Sequence, residues 1–304
     1  MSPGSDVSII VSTLNRVRGL KKLLESLDAL EHSDSTQVEV LVVNNGSTDG
    51  TAELLAREQT KAHNFDFWVV EEPQKGRSRA HNRGFSLASA EIICFLDDDV
   101  VVDKKWLKNM MAAYKHTSFG AIQGRILPGV DPQGRPGDPK RLREYNIPVV
   151  DYGDEIREIR GLTGANMSFK REVFEKVGLF DVRLGPGALG FSDDTEFSMR
   201  IRRAGFKVGY TPGALVYHEL NPNRYGREYN RAVQYRKGLS RSIYRQESIV
   251  FNVLPNLIAN CIRFNFYWVL GRTQKAYKTE GRIMRYWGYL VGKVQIALGK
   301  EPWV

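Results

Sequence analysis

EIICFLDDDVVVDKKW, residues Glu91 to Trp106, runs from an apolar segment into three consecutive carboxylates, Asp97, Asp98 and Asp99, and returns at once to three valines. The segment before the aspartates is short, continuous and apolar, as expected of a strand buried on both faces of a sheet. Like charges about 4 Å apart repel by roughly 1 kcal/mol per pair even in bulk water, and by more where water is partly excluded. A positive partner is therefore expected nearby. An Asp at a strand end often does no more than cap the next helix, but Asp103, directly before KKWLKNM, is the better cap. In an extended segment Asp97 and Asp99 share one face and Asp98 takes the other. Hard carboxylate oxygens suit Mg²⁺ or Mn²⁺ with positions left open for phosphate oxygens. The residue types alone leave two readings, a metal–diphosphate site and a solvated acidic turn.

The flanking sequence sets this strand in a series. VSIIVS (7–12) precedes RGLKKLLESLDAL (18–30), whose leucines recur with helical spacing; VEVLVVN (38–44) precedes TDGTAELLAREQ (48–59); FDFWVVE (65–71) precedes SRAHNRGFSLAS (78–89) and then EIICFLD (91–97). Near-continuous apolar strands alternating with amphipathic helices predict an α/β fold, a mostly parallel, Rossmann-like sheet flanked by helices. Ligands of such sheets bind beyond the carboxyl ends of the strands. There lie Thr13 and Asn15, Asn44 and Asn45, the KGRSR loop and the aspartates. Farther on, KKWLKNMMAAYK reads as a helix and FGAIQGRIL as a strand, with an exposed Pro/Gly-rich loop over 129–141; REVFEKVG and TEFSMRIRRAG read as helices.

A chain of 304 residues with 42% hydrophobic content has room for two domains, or one of about 200 residues with an appendage. Two cysteines, Cys94 and Cys261, indicate neither a disulfide framework nor a thiolate metal site. The N-terminal apolar run is too short for a signal peptide or a span, so a cytoplasmic location is expected. The formal charge of +9 is uneven: from Arg224 onward stand 15 Lys and Arg against 4 Asp and Glu, leaving 29 against 31 before it. That split argues against nucleic acid as a partner of the front portion and for an acidic partner of the tail.

Six pieces in order, SIIVSTLNR, VLVVNNGSTDGT, GRSRAHNRGFSLASAEIICFLDDD, GANMSFKREVFEKVGLFD, FSDDTEFSMRIRRAGF and YTPGALVYH, resemble the inverting family 2 glycosyltransferases of GT-A fold, over about residues 7 to 220. The resemblance implies a nucleotide-sugar-binding half (1–102) and an acceptor and catalytic half (103–222) of one GT-A domain, followed by a helical C-terminal extension (223–304). It implies that Asp99 binds the divalent cation, Mn²⁺ or Mg²⁺, that holds the donor diphosphate, with Asp97 and Asp98 near ribose and sugar. Arg77 and Arg79, with Lys75, would add phosphate or base contacts, and Thr13, Asn15 and Asn45 the nucleoside pocket. The family usually carries an Asp at Asn44-Asn45; an Asn carbonyl still accepts an imide N–H, which leaves UDP-, dTDP- and GDP-sugars open. Asp49 is read as structural. Asp193-Asp194 occupies the family's Glu-Asp position, which makes Asp194 the base that deprotonates the acceptor hydroxyl; a local reading, acids at a helix N-terminus, also fits the pair. Asn166, in Gly164-Ala165-Asn166, would line the donor sugar with Asp193, and His218 would complete the metal site.

The tail lies outside the resemblance. SIVFNVLPNLIANCIRFNFYWVLG is its most apolar stretch, yet Pro255, Arg263 and several Asn make it a poor spanning helix. Trp268, Trp287 and Trp303 among Lys and Arg fit peripheral attachment to an anionic membrane, the inner face of the plasma membrane; packing on the catalytic domain, or on a second copy in a homo-oligomer, fits equally. The expected activity is metal-dependent, inverting transfer of a sugar to a glycan or lipid-linked acceptor. The rivals are a nucleotidyltransferase and a non-catalytic glycan- or nucleotide-binding adaptor.

Overall fold

The computed structural model describes residues 4–31, 35–131, 134–136, 147–224 and 226–300. Part of the 129–141 loop, and Trp303, lie outside the described residues. Four parallel strands open the chain: β1 (Val7–Thr13), β2 (Val38–Asn44), β3 (Asp66–Glu71) and β4 (Ile92–Asp97). Between them run α1 (Val17–Asp28), α2 (Thr51–Glu58) and α3 (Arg77–Leu87). Both sheet faces are covered, and so these strands read as unbroken apolar runs. Along β1, Val7, Ile9 and Val11 enter one core with the α1 leucines, while Ile10 enters a second core with Ala80 of α3. Each fully buried Val, Leu or Ile side chain contributes about 1.5–3 kcal/mol, which fixes both helix faces against the sheet.

Past β4 the sheet becomes mixed. A turn at Asp98 and Asp99 leads to β5 (Val100–Val102), then α4 (Trp106–His116), β6 (Ala121–Pro128), β7 (Arg157–Ile159), β8 (Asn166–Lys170), α5 (Arg171–Val177), α6 (Asp193–Arg203) and β9 (Val208–His218). The strand order is β3-β2-β1-β4-β8-β6-β9-β5, with β7 also on β9. β8 runs antiparallel to both β4 and β6, and β5 and β7 run antiparallel to β9. The first four strands and the β6/β9 pair are parallel, as expected, while β8, β5 and β7 make the rest of the sheet antiparallel. Asp103 does not cap α4 directly; its carboxylate and carbonyl accept the N–H groups of Lys105 and Trp106 in the turn ahead of it.

The chain divides into two units. The first comprises the described residues within Met1–Pro139 together with Ile147–Val182 and Asp194–Leu220; the second contains Arg183–Asp193 and the residues from Asn221 onward. Segment 183–193, expected in the acceptor half, therefore groups with the tail. The second unit is helical: α7 (Arg227–Tyr244), a π-helical turn (Ile249–Val253), α8 (Leu254–Val269) and α9 (Thr273–Ala297). Backbones of α7 and α9 meet where glycines remove the side chain. A Cβ on Gly238 would stand 2.1 Å from the Arg285 carbonyl oxygen, and one on Gly288 2.2 Å from that of Tyr235. Ile249–Val269 is long and apolar enough to cross a membrane, at mean hydropathy 1.2. Its Phe251, Ile258, Ile262, Phe266 and Val269 are all more than half exposed, on one face.

Candidate active site

The acidic turn is a meeting point of α1, β9 and α3. A Cβ on Gly19 of α1 would lie 2.6 Å from the Asp98 carbonyl oxygen, so only glycine admits the helix this close. Register pairs Val100 with His218, and Glu219 N–H donates to the Asp99 carbonyl, which brings the histidine beside the aspartate. Asp98 and Asp99 lie in a turn, not in extended strand, yet Asp97 and Asp99 do share a side: with His218 they offer ligand atoms within 4.8 Å of one another. Asp98 turns to Thr13, whose hydroxyl donates to its Oδ2 at 2.7 Å. Burial, then the adjacent Asp99 charge, push the Asp98 carboxyl up to about 7 against the opposing pull of Arg16 and Thr13.

The expected positive partners are arginines. Arg16 Nη2 stands 3.0 Å from Asp99 Oδ2, and Arg77 Nη1 donates to Asp97 Oδ1 at 3.2 Å. Burial works against the Arg16 guanidinium, but Asp99, Asp98, Glu219 and Asp97 outweigh it and raise its pKa. Arg77 is expected at this site from the sequence, and Arg16 is not. The signal was available only as a basic residue at the start of the first helix, beyond the same strand end as Thr13.

His218 supplies the test of metal fit. Its Nδ1 lies 2.9 Å from the Glu219 carbonyl oxygen, which assigns the proton to Nδ1. Nε2, buried and without a hydrogen-bond partner, then presents its lone pair 3.2 Å from Asp99 Oδ1. A lone pair facing a carboxylate oxygen is repulsive unless a cation sits between them or the ring is protonated. Two carboxylates and one imidazole, oriented from behind by a carbonyl, form a donor set that fits a divalent ion.

Arg77 links this cluster to the second acidic site. A Cβ on Gly164 would come within 3.0 Å of Arg77 Nη1, so the guanidinium lies against that glycine. Gly164 N–H in turn donates to Asp194 Oδ2 at 3.1 Å, while Asp194 Oδ1 accepts from Thr195 N–H at 2.6 Å. The half-buried Asp194 carboxylate is thereby fixed in direction at the start of α6, with buried Asp193 preceding it.

The other residues named by the resemblance make hydrogen bonds within the fold or stand free of ion pairs among the described residues. Asn45 gives both amide hydrogens to the carbonyls of Glu72 and Gln74 and accepts from Gly76 N–H, so it shapes the loop that launches Arg77. Asn166 is fully buried; it donates to the carbonyls of Arg125 and Ala214 and accepts from Trp106 Nε1–H. The cause is the irregular β6/β9 pairing, where the register shifts after Gly124 and three residues of β9, Pro212 to Ala214, go unmatched. Asn166 fills the gap that this leaves. Asn15 clamps the end of β1 to the turn after β2, its Oδ1 accepting Thr48 N–H at 2.7 Å, with φ at 55°. Asp49 holds Val17 N–H and the Thr51 hydroxyl and serves that same turn. Arg79 is half-buried on α3 with no ion pair among the described residues, and Lys75 is exposed.

The sequence pattern described as Glycosyl transferase family 2 matches residues 8–178, more than half of the chain. The chain belongs to the family 2 glycosyltransferases. The glycosyltransferase AglE of Haloferax volcanii is 25% identical over 216 residues, covering 71% of this chain and 67% of the relative. The poly-β-1,6-N-acetyl-D-glucosamine synthase of Staphylococcus epidermidis is 25% identical over 248 residues, and the match spans 54% of that longer protein. Among solved structures, the mannosyltransferase PcManGT of Pyrobaculum calidifontis, in complex with GDP-Man and Mn²⁺, aligns with TM-score 0.65 at 17% identity over 96% of this chain and 89% of its own. Residues 1–349 of S. aureus TarS align with TM-score 0.54 at 16% identity over 97% of this chain and 92% of that fragment. At these identities the likeness establishes the GT-A fold. The family 2 glycosyltransferase assignment accounts for the acidic turn at the carboxyl end of β4.

Proposed function

We propose that this family 2 glycosyltransferase moves one sugar from a nucleotide-sugar to a hydroxyl of a glycan or lipid-linked acceptor, with inversion, using Mn²⁺ or Mg²⁺. The observation that carries the reading is the buried, unpartnered Nε2 of His218 facing Asp99 beside Asp97. Asp97, Asp99 and His218 would hold the ion, the two carboxylates suiting Mn²⁺ or Mg²⁺. When bound, such an ion supplies Lewis-acid neutralisation of the departing diphosphate. Arg77 and Arg16, already paired with the acidic turn, lend charge-assisted donors to the same oxygens. Asp194, held by Gly164 and Thr195, takes the proton of the acceptor hydroxyl as it attacks from the face opposite the diphosphate. PcManGT in complex with GDP-Man, and TarS in complex with UDP-GlcNAc, support both guanine and uracil donors as candidates.

The location that fits this reading is an anionic membrane face, where a lipid-linked acceptor resides. Basic residues dominate from Arg224 onward, and the α8 face is apolar and open. With Arg263 and Pro255 inside it, α8 lies along the interface and does not cross. Incubating the protein with separate nucleotide-sugars, Mn²⁺ and a lipid-linked acceptor extract tests the reaction class. Release of nucleoside diphosphate supports it. Release of pyrophosphate would make the chain a nucleotidyltransferase, and binding without turnover an adaptor.

A further inference from the structure

Three helices of the second unit line an open concavity of about 230 Å³, and four of its seven lining residues are arginines. Arg241 comes from α7, Asn256, Asn260 and Arg263 from α8, and Arg282, Arg285 and Tyr286 from α9. The volume accommodates a polyatomic anion and not merely one water, whose share of the liquid is about 30 Å³.

No carboxylate lines this cavity. Glu247 is bound by Arg241 and Arg245, and Glu280 by Arg227 and Arg231. Arg263 and Arg282 have no ion pair among the described residues, and Arg285 reaches only the neutral carbonyl of Gln234. Burial, then the nearby Arg241 charge, lower the pKa of the Arg285 guanidinium. Arg241 is paired with Glu247, but Arg263, Arg282 and Arg285 have no carboxylate partner among the described residues, and an anion in the concavity would offset their mutual repulsion. A second observation points the same way. Asn260 is 3% exposed, donates its amide to the Asn256 carbonyl, and is left with a buried, unpartnered Oδ1. That oxygen is a buried spare acceptor beside the arginines, suited to the O–H of a singly protonated phosphate or of the alcohol it esterifies.

We propose that the cavity lined by Arg241, Arg263, Arg282, Arg285 and Asn260 binds a phosphate or diphosphate group, separately from the donor site. Guanidinium forks match phosphate oxygens two at a time, whereas chloride would gain no such pairing. Phosphate chemistry of this kind arrives either as a soluble anion or as the headgroup of a phosphorylated lipid, the latter being what a lipid-linked acceptor would carry.

The full-length chain is titrated with inorganic pyrophosphate by calorimetry, in chelator so that the aspartate cluster holds no metal. One equivalent should bind, and Arg282→Gln and Arg263→Gln, both at exposed positions, should each weaken binding about tenfold or more. Asp99→Asn should leave the affinity unchanged. Vesicle sedimentation separates the sources. A headgroup site makes the wild type prefer phosphatidic acid over phosphatidylglycerol at equal lipid content, a preference that Arg282→Gln abolishes; a soluble-anion site shows no such preference. Absence of pyrophosphate binding, or affinity unchanged in both arginine variants, would overturn the proposal. The glycosyltransferase reading has its own readout, since Mn²⁺-dependent nucleotide binding should persist in both arginine variants.

Discussion

Asp194 is an orienting problem solved by two backbone N–H groups, and its proposed work is proton transfer alone. Asp194→Asn keeps the shape and removes the basicity, so kcat should fall about 100-fold or more while donor affinity, read by calorimetry, changes little. Transfer at near wild-type rate by that variant would place the base elsewhere. The neighbouring residues show what a motif conveys and what it omits. Asp99 and His218 are expected at one ion from the family resemblance and Asp97 near ribose and sugar, and only the fold gathers ligand atoms of all three within 4.8 Å. Asn45 and Asn166 were legible as polar residues at the right strand ends, but not that the chain would use up their amides. That depends on a register shift and a loop path, which are properties of partners distant in sequence. The ion pair of Arg16 with Asp99 has the same origin.

Individual elements differ in how plainly the sequence announces them. β1, β2 and β4 carry enough branched residues, and α1 enough leucines, for periodicity to mark them. β5 and β7 have three residues each, too few to show a period, and their antiparallel pairing to β9 turns the expected parallel sheet into a mixed one. The close contact of α7 with α9 was equally silent, because glycines that admit a neighbouring backbone look like any other helical glycine. Gly288→Ala would place a methyl 2.2 Å from the Tyr235 carbonyl oxygen. It should lower stability by roughly 1–3 kcal/mol in urea unfolding. Gly161→Ala, whose nearest neighbour atoms stand 4.0 Å away, should stay within about 0.5 kcal/mol of wild type. Equal effects would mean that the two helices do not touch at Gly288.

For the whole molecule, the uneven charge and the open apolar face of α8 predict where it works. Wild type should sediment with vesicles containing anionic lipid, release as salt rises because contacts are screened beyond about 8 Å at physiological strength, and ignore neutral vesicles. Phe251→Asp with Ile262→Asp should abolish sedimentation while thermal unfolding stays unchanged, since both side chains are exposed. Retention through alkaline carbonate washing would instead make α8 a span. The catalytic account rests on a divalent ion held at Asp97, Asp99 and His218 as the bridge to a donor diphosphate, and calorimetry reads that bridge directly. UDP and GDP are titrated into the protein with Mn²⁺ and with chelator, for wild type and Asp99→Asn. At least one of the two should bind wild type at least tenfold more tightly with Mn²⁺, and the gain should vanish in Asp99→Asn. Equal affinity in Mn²⁺ and chelator, or a Mn²⁺ gain that survives in Asp99→Asn, would contradict the account.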